Sequence, residues 1–254
     1  MKLKILGSIS PYAKKKSKCS GYVVYDENDK ILLDCGFGIT SNMNFPEDLE
    51  NLSIIISHYH KDHYADLFAI GYASVCYYRQ GILTDKINVY IPKVQKNEKG
   101  YIDYELIKAF DDNYFKIQEY ETDSIIRINN NVISFFETRH SIPNRSIKVE
   151  NSNYKIVYTG DMGYFNIDKY SKFCQNADIL ISESTYLESD NTIDRNHLHA
   201  KEAANIAKLS TVGLLILSHM WPEHDKNNYL QEAKLIFDNT IVAEDNLKIN
   251  LNKL

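Results

Sequence analysis

The chain lacks any CxxC pair: its four cysteines, Cys19, Cys35, Cys76 and Cys174, stand far apart. That excludes a thiolate zinc ribbon and a disulfide scaffold, and it reads as free thiols of a reducing compartment. Proline and glycine are sparse, at 5 and 10 residues in 254, and nowhere dense enough to mark a linker. One domain over residues 1–254 is therefore expected, with length enough to bury a sizeable core. No apolar run approaches the roughly 20 residues of a membrane span. The opening MKLKILGSIS is too short in apolar residues for a secretory signal and enters a strand pattern at once. The expectation is a soluble, cytoplasmic protein with no membrane partner. Excess positive charge is missing too: Lys and Arg number 29 against 34 Asp and Glu, a net charge of −5. This argues against a large non-specific nucleic-acid surface, which needs a basic face. It leaves a phosphodiester substrate open, because bound divalent cations would dominate the field of their own site. There is no Walker loop, no Rossmann fingerprint and no serine nucleophile elbow.

What the chain does have is SHYHKDH, Ser57 to His63, directly after the apolar run LSIII. It places His58, His60, Asp62 and His63 within six positions. Imidazole nitrogen and carboxylate oxygen are donors suited to Zn²⁺ and its borderline neighbours. A buried strand running into a turn with three imidazoles and a carboxylate reads as a metal loop. The spacing cannot aim all four at one ion; a tight turn sorts them into two sets, which suits two adjacent metals. Further ligands must come from distant loops. Three more strand-like runs end in a donor: VISFFETRH at His140, YKIVYTGD at Asp161 and VGLLILSH at His219.

The chain reads as two similar halves. LKILGS, GYVVYD, KILLDCG and NLSIIISH are strands of the first, and INVYIP is another before the charged loop VQKNEKG. VISFFETRH, YKIVYTGD and VGLLILSH belong to the second. ILLDCG pairs with IVYTGD, and IIISH with LLILSH, as counterparts in a weak repeat. Helices are expected over ADLFAIGYASVCYYRQ, with an apolar face at Phe68, Tyr72, Val75 and Cys76, and over HAKEAANIAKLS and NNYLQEAKLIFDN.

These motifs, in this order, resemble the metallo-β-lactamase superfamily over nearly the whole chain. The resemblance implies an α/β fold, a four-layer αββα sandwich with two mixed β-sheets. It implies that His58, His60 and His140 hold one metal, that Asp62, His63 and His219 hold a second, and that Asp161 bridges them. A hydroxide between the metals would be the nucleophile. Asp34 is either an orienting partner of a ligand histidine or a turn former before Gly36. The stretch ISESTYLESDNTIDRNHLHAKEAANIAK resembles the ribonuclease Z branch, where His197 takes the place of a catalytic histidine, Glu183 orients it and Asp62 shares proton transfer. Between His140 and Asp161 there is room only for a short strand pair, so the long tRNA-gripping arm of that branch is missing.

The resemblance thus implies a compact dinuclear hydrolase. The leading substrate is a small phosphodiester: a cyclic nucleotide, a cyclic phosphate or a short oligonucleotide. Alternatives are a lactone, thioester or other ester or amide bond on the same metals, as in metabolite biosynthesis, then tRNA 3′ processing, and finally a binding module without turnover. Two Zn²⁺ ions are the expected cofactors, with Mn²⁺, Fe²⁺, Co²⁺ and Ni²⁺ also compatible with the donors. A homodimer is a mild expectation. His199 is expected on a helix face and His224 in a loop. Tyr59 and Tyr64 are expected to pack rather than touch substrate.

Overall fold

The structure is a computed structural model describing residues 2–27, 29–111, 113–190 and 195–251. Residues 191–194, in the stretch leading to His197, lie outside the described residues. In chain order the elements are β1 (Lys2–Gly7), β2 (Gly21–Asp26), β3 (Asp29–Leu33), β4 (Leu52–Ile55), α1 (Lys61–Tyr64), α2 (Leu67–Arg79), β5 (Ile87–Pro92), α3 (Tyr101–Lys108) and β6 (Phe115–Tyr120). They continue with β7 (Ile125–Ile128), β8 (Asn131–Thr138), β9 (Asn144–Glu150), β10 (Lys155–Tyr158), α4 (Ile167–Cys174), β11 (Ile179–Glu183), α5 (Ala200–Leu209), β12 (Leu214–Ser218), α6 (Lys226–Lys234), β13 (Thr240–Val242) and β14 (Lys248–Asn250).

The chain divides into two compact units. The first takes most of the residues up to 121 and the closing stretch from 244; the second takes residues 9–11 and 122–243. Each unit is built on one seven-stranded mixed sheet.

In the first unit the order is β14-β1-β2-β3-β4-β5-β6. Pairing is antiparallel from β14 to β3 and parallel from β3 to β6. The central strands show why. Ile31 to Leu33 and Ile54 to Ile56 are apolar runs and fully buried, and even Ser53 on β4 is buried. A strand without a polar face must be covered on both sides, which parallel strands with helical crossovers allow.

The second unit repeats the plan. Its order is β7-β8-β9-β10-β11-β12-β13, antiparallel as far as β10 and parallel beyond it. The half-buried β8 alternates buried and partly exposed residues, while ILISE and LLILS are buried throughout. The short strand pair expected between His140 and Asp161 is β9 with β10. Helix α5 presents Ala200, Ala203, Ala204, Ile206 and Ala207, all fully buried, to a core shared with Leu180, Leu215 and Leu217. Short side chains on this face let the helix lie close to the sheet.

Two sequence expectations need correction. Superposing the strand orders makes β3 and β10 counterparts, as expected, but the counterpart of β4 is β11, not β12. IIISH therefore matches ILISE, and its likeness to LLILSH reflects only that both are buried parallel strands ending in a polar residue. In α2 the buried face is Leu67, Ile70, Gly71 and Ser74, whereas Tyr72 is 62% exposed and Cys76 is exposed. The reason is Gly71: a Cβ there would lie 3.0 Å from the Phe115 ring, so the ring packs on bare backbone and the face is set by small residues.

One glycine is sterically required at the end of β3. A Cβ on Gly36 would lie 1.9 Å from the carbonyl oxygen of Asp62 and 2.8 Å from the Cys19 Cβ. Asp66 ties down the same turn, accepting from the Gly38 and Thr40 amides and the Thr40 hydroxyl. Gly36→Ala is expected to displace the metal loop and cost about 1–3 kcal/mol. Thermal melting would register this as a fall of several degrees; an unchanged melting temperature would show that the loop gives way freely.

Candidate metal centre

The first unit carries one set of donors. His58 follows the last apolar residue of the β4 run, and His60 caps the single turn of α1, which holds Asp62 and His63. The turn is anchored by two buried phenols: the Tyr120 hydroxyl donates to the Ile56 carbonyl and the Tyr59 hydroxyl to the Pro92 carbonyl. Tyr59 and Tyr64 are each 2% exposed, so both are packing residues as expected.

Asp34, fully buried, organises these imidazoles. One carboxylate oxygen accepts from the Ser57 amide at 2.7 Å; the other accepts from the Ser57 hydroxyl at 2.7 Å and from His63 Nδ1 at 2.6 Å. His63 therefore carries its proton on Nδ1 and keeps a lone pair on Nε2. Ser57 has given its only proton to Asp34, so at 2.9 Å it accepts from His58 Nδ1, which fixes the same tautomer there. Asp34 also adopts the left-handed conformation, with φ 57°. The turn reading and the orienting reading are both right.

With protons placed this way, lone pairs converge in two pairs. His58 Nε2 lies 3.1 Å from His60 Nδ1. His63 Nε2 lies 3.6 Å from an Asp62 oxygen. Two ligands on one tetrahedral zinc are separated by about 3.3 Å for metal–nitrogen bonds of about 2.0–2.1 Å. The donor set fits divalent metal.

The second unit carries the other set. His140 Nδ1 donates to the Asn196 carbonyl at 3.0 Å, leaving Nε2 as a lone pair 3.5 Å from one Asp161 oxygen. His219 Nε2 lies 3.1 Å from the other Asp161 oxygen. One carboxylate thus faces two imidazoles with different oxygens, the disposition of a bridging ligand. Burial pushes the His140 imidazole below its ordinary pKa, against the opposing pull of Asp161. It stays neutral at physiological pH, as a ligand must.

His197 stands in the same cluster, with the donor atoms of Asp161, His197 and His219 all within 4.8 Å of one another. Its ring stacks on His219 at 5.5 Å and 20°. Its Nδ1 is 2.9 Å from Glu183, which is fully buried at the end of β11. Glu183 also accepts from the amides of Met162, Thr185 and Leu198 and from the Thr185 hydroxyl. A carboxylate holding this many donors is fixed in place.

Sequence reasoning missed Thr185, Asn144 and Ser57. Thr185 gives its proton to Glu183 and accepts from His219 Nδ1 at 3.0 Å, so it sets that ligand's tautomer. Its signal was the T of the EST triplet. Asn144 and Thr138 both donate to the Asp161 main-chain carbonyl, at 2.6 and 2.9 Å, and hold the bridging residue from behind. No pattern pointed to them. His199 is the N-cap of α5 in a capping box with Glu202, not a helix-face residue. His224 lies in a loop against Tyr229, as expected. Burial pushes the thiols of Cys19, Cys35 and Cys174 up, the last to about 12, so none is poised as a nucleophile.

A β-lactamase superfamily domain matches residues 29–220. The chain belongs to this superfamily. The probable metallo-hydrolase YhfI of Bacillus subtilis is 25% identical over 246 residues, covering 95% of this chain and 96% of its own. The ribonuclease Z of Archaeoglobus fulgidus is also 25% identical, over 98% of this chain and 97% of its own. The crystal structure of YhfI, a metallo-β-lactamase fold protein, superposes with a TM-score of 0.88 at 24% identity, over 98% of both chains, and the two mixed sheets described above are this chain's form of that fold. The chain is thus a metallo-hydrolase related to the ribonuclease Z branch, in a family that works with two metals. No helix among the described residues is long and apolar enough to cross a membrane.

Asp34→Asn keeps the shape but removes the charge that two donors share, so metal affinity should fall about 10–100-fold. Competition with a metal-sensitive dye measures this directly, and unaltered affinity would remove Asp34 from the centre.

Proposed function

We propose that the two units act as one catalytic domain with a dinuclear centre, and that its reaction is hydrolysis of a small phosphodiester. In this reading His58, His60 and His140 serve one metal, Asp62, His63 and His219 the other, and Asp161 both. Zinc is the first choice, and Mn²⁺, Fe²⁺, Co²⁺ and Ni²⁺ also suit imidazole and carboxylate. The metals would supply an activated water and positive charge against the phosphoryl oxygens.

The observation that carries the reading is the pair formed by Glu183 and His197 beside Asp161 and His219. Phosphodiester cleavage expels an alkoxide, which needs a proton or a cationic neighbour. His197 meets both needs. Its Nδ1 proton is held by Glu183, which leaves Nε2 as the reactive edge. Its side chain keeps 18% of its surface, enough to meet a substrate. Asp62, 7% exposed, is the second candidate for proton transfer. Lactone and thioester hydrolysis need no imidazole at this place, which is why they rank second. The short link from His140 to Asp161 leaves no room for a tRNA-gripping arm there, so tRNA 3′ processing ranks third. A cytoplasmic location and a homodimer belong to the same proposal.

Two variants test it, with bis(p-nitrophenyl) phosphate as substrate and metal measured on the same samples. Asp161→Ala should lose metal and all turnover. His197→Ala should keep two metals per chain and lose about a hundredfold or more in rate. Wild-type protein that holds both metals but leaves the substrate intact would shift the assignment to lactones and thioesters. Full activity in His197→Ala would remove its role.

A further inference from the structure

The first unit has a second polar cavity, of about 440 Å³, lined by Lys2, Lys4, Tyr25, Glu27, Asn44, Asp48 and Lys248. It lies at the other end of the sheet from the metal loop. Gly7 pairs with Gly21 and Tyr22 with Leu33, so the ligand-bearing end of the sheet is the C-terminal end of β1. Lys4 and Lys2 are three and five residues back, about 10 and 17 Å at the rise of a strand.

Three ammonium groups gather here by register. Lys2 and Lys4 are two apart on β1 and share a face. Lys248 on β14 is the direct cross-strand partner of Lys4. Like charges directly opposite destabilise a strand pair. Lys4 is in addition only 6% exposed, although lysine is almost never buried unless paired. Its Nζ donates to the Asn42 carbonyl at 2.5 Å, and among the described residues no carboxylate lies within 4 Å of any of the three ammonium groups. Asp48 is near, but its oxygens are engaged by the Tyr25 hydroxyl and the Asn44 amide. Burial accordingly pulls the Lys4 pKa down, with Lys248 adding to the effect and Asp48 opposing it.

We propose that this cavity is an anion site for the phosphoryl group of a soluble small molecule, separate from the metal centre. A phosphoryl group offers several acceptor oxygens and up to two negative charges, which the three lysines lining the cavity can meet against its two carboxylates, Asp48 already engaged by Tyr25 and Asn44 and Glu27 exposed to solvent. The volume admits a phosphorylated metabolite as well as free phosphate.

The test is thermal melting of the metal-loaded protein in phosphate-free buffer and across an inorganic phosphate titration, for wild type, Lys4→Met and Lys248→Met. Wild type should gain about 3 °C at a phosphate concentration ten times Kd. Both variants should gain clearly less than wild type, keeping only what phosphate contributes at the metal centre, and Lys4→Met should melt above wild type in its absence, since the buried cation is gone. Bis(p-nitrophenyl) phosphate turnover without phosphate should be unchanged in both. A wild-type melting temperature that ignores phosphate, or a phosphate gain equally large in all three proteins, overturns the site.

Discussion

Buried carboxylates at strand ends are the constraint on which the rest depends. Asp34 follows β3, Asp161 follows β10 and Glu183 ends β11, and each is buried almost completely. An ionised carboxylate in such a place is unstable without donors or cations around it. Asp34 and Glu183 are satisfied by amides, hydroxyls and imidazole protons, and in being satisfied they fix which ring nitrogen of His63 and His197 carries hydrogen. Asp161 is different. Its two oxygens face the unprotonated edges of His140 and His219, which are acceptors like itself. Only a cation reconciles acceptors that face one another. The tautomers of His140 and His219, set by the Asn196 carbonyl and by Thr185, therefore dictate the chemistry of the inner cluster.

The same logic explains how much of the site could be read from the chain. The seven donors were legible because each lies in the segment that leaves a strand-like run, four of them clustered within six residues, and a polar cluster in that position has few other reasons to be there. His197 and Glu183 were legible only through the resemblance of their segment to a known one. Ser57, Thr185 and Asn144 were not legible, since hydroxyl and amide side chains are common in turns and their roles depend on angles that only folding sets. Asn144 sits at the start of β9 and reaches the backbone of Asp161 across 17 residues, a relation no local pattern encodes.

The fold shows a similar division. Strands rich in Ile, Leu and Val were found wherever they form a continuous buried run. The repeat was detected but misaligned, because buried parallel strands look alike and only pairing order separates β4, β11 and β12. The buried face of α2 was misread because its hydrophobicity pointed one way and its small residues the other. Gly71 faces the core not for its own apolar surface but for the room it leaves to Phe115, and Ser74 beside it is buried with its hydroxyl bonded to the Gly71 carbonyl.

The two sheets carry the same sequence of antiparallel and parallel pairings, yet the segments leaving equivalent strands have diverged. After β4 the chain makes the turn with His58, His60, Asp62 and His63; after its counterpart β11 it places Thr185 and then His197, which approaches Glu183 rather than forming a compact metal loop. One end-of-strand position gathers donors able to hold a metal, and the other positions an imidazole against a buried carboxylate. That asymmetry is the strongest physical reason to read the second unit as the source of substrate discrimination. Its metal donors suit any hydrolysis of the superfamily, whereas a buried glutamate that orients His197 while tying Met162, Thr185 and Leu198 in place suits a departing group that needs a proton or a neighbouring positive charge.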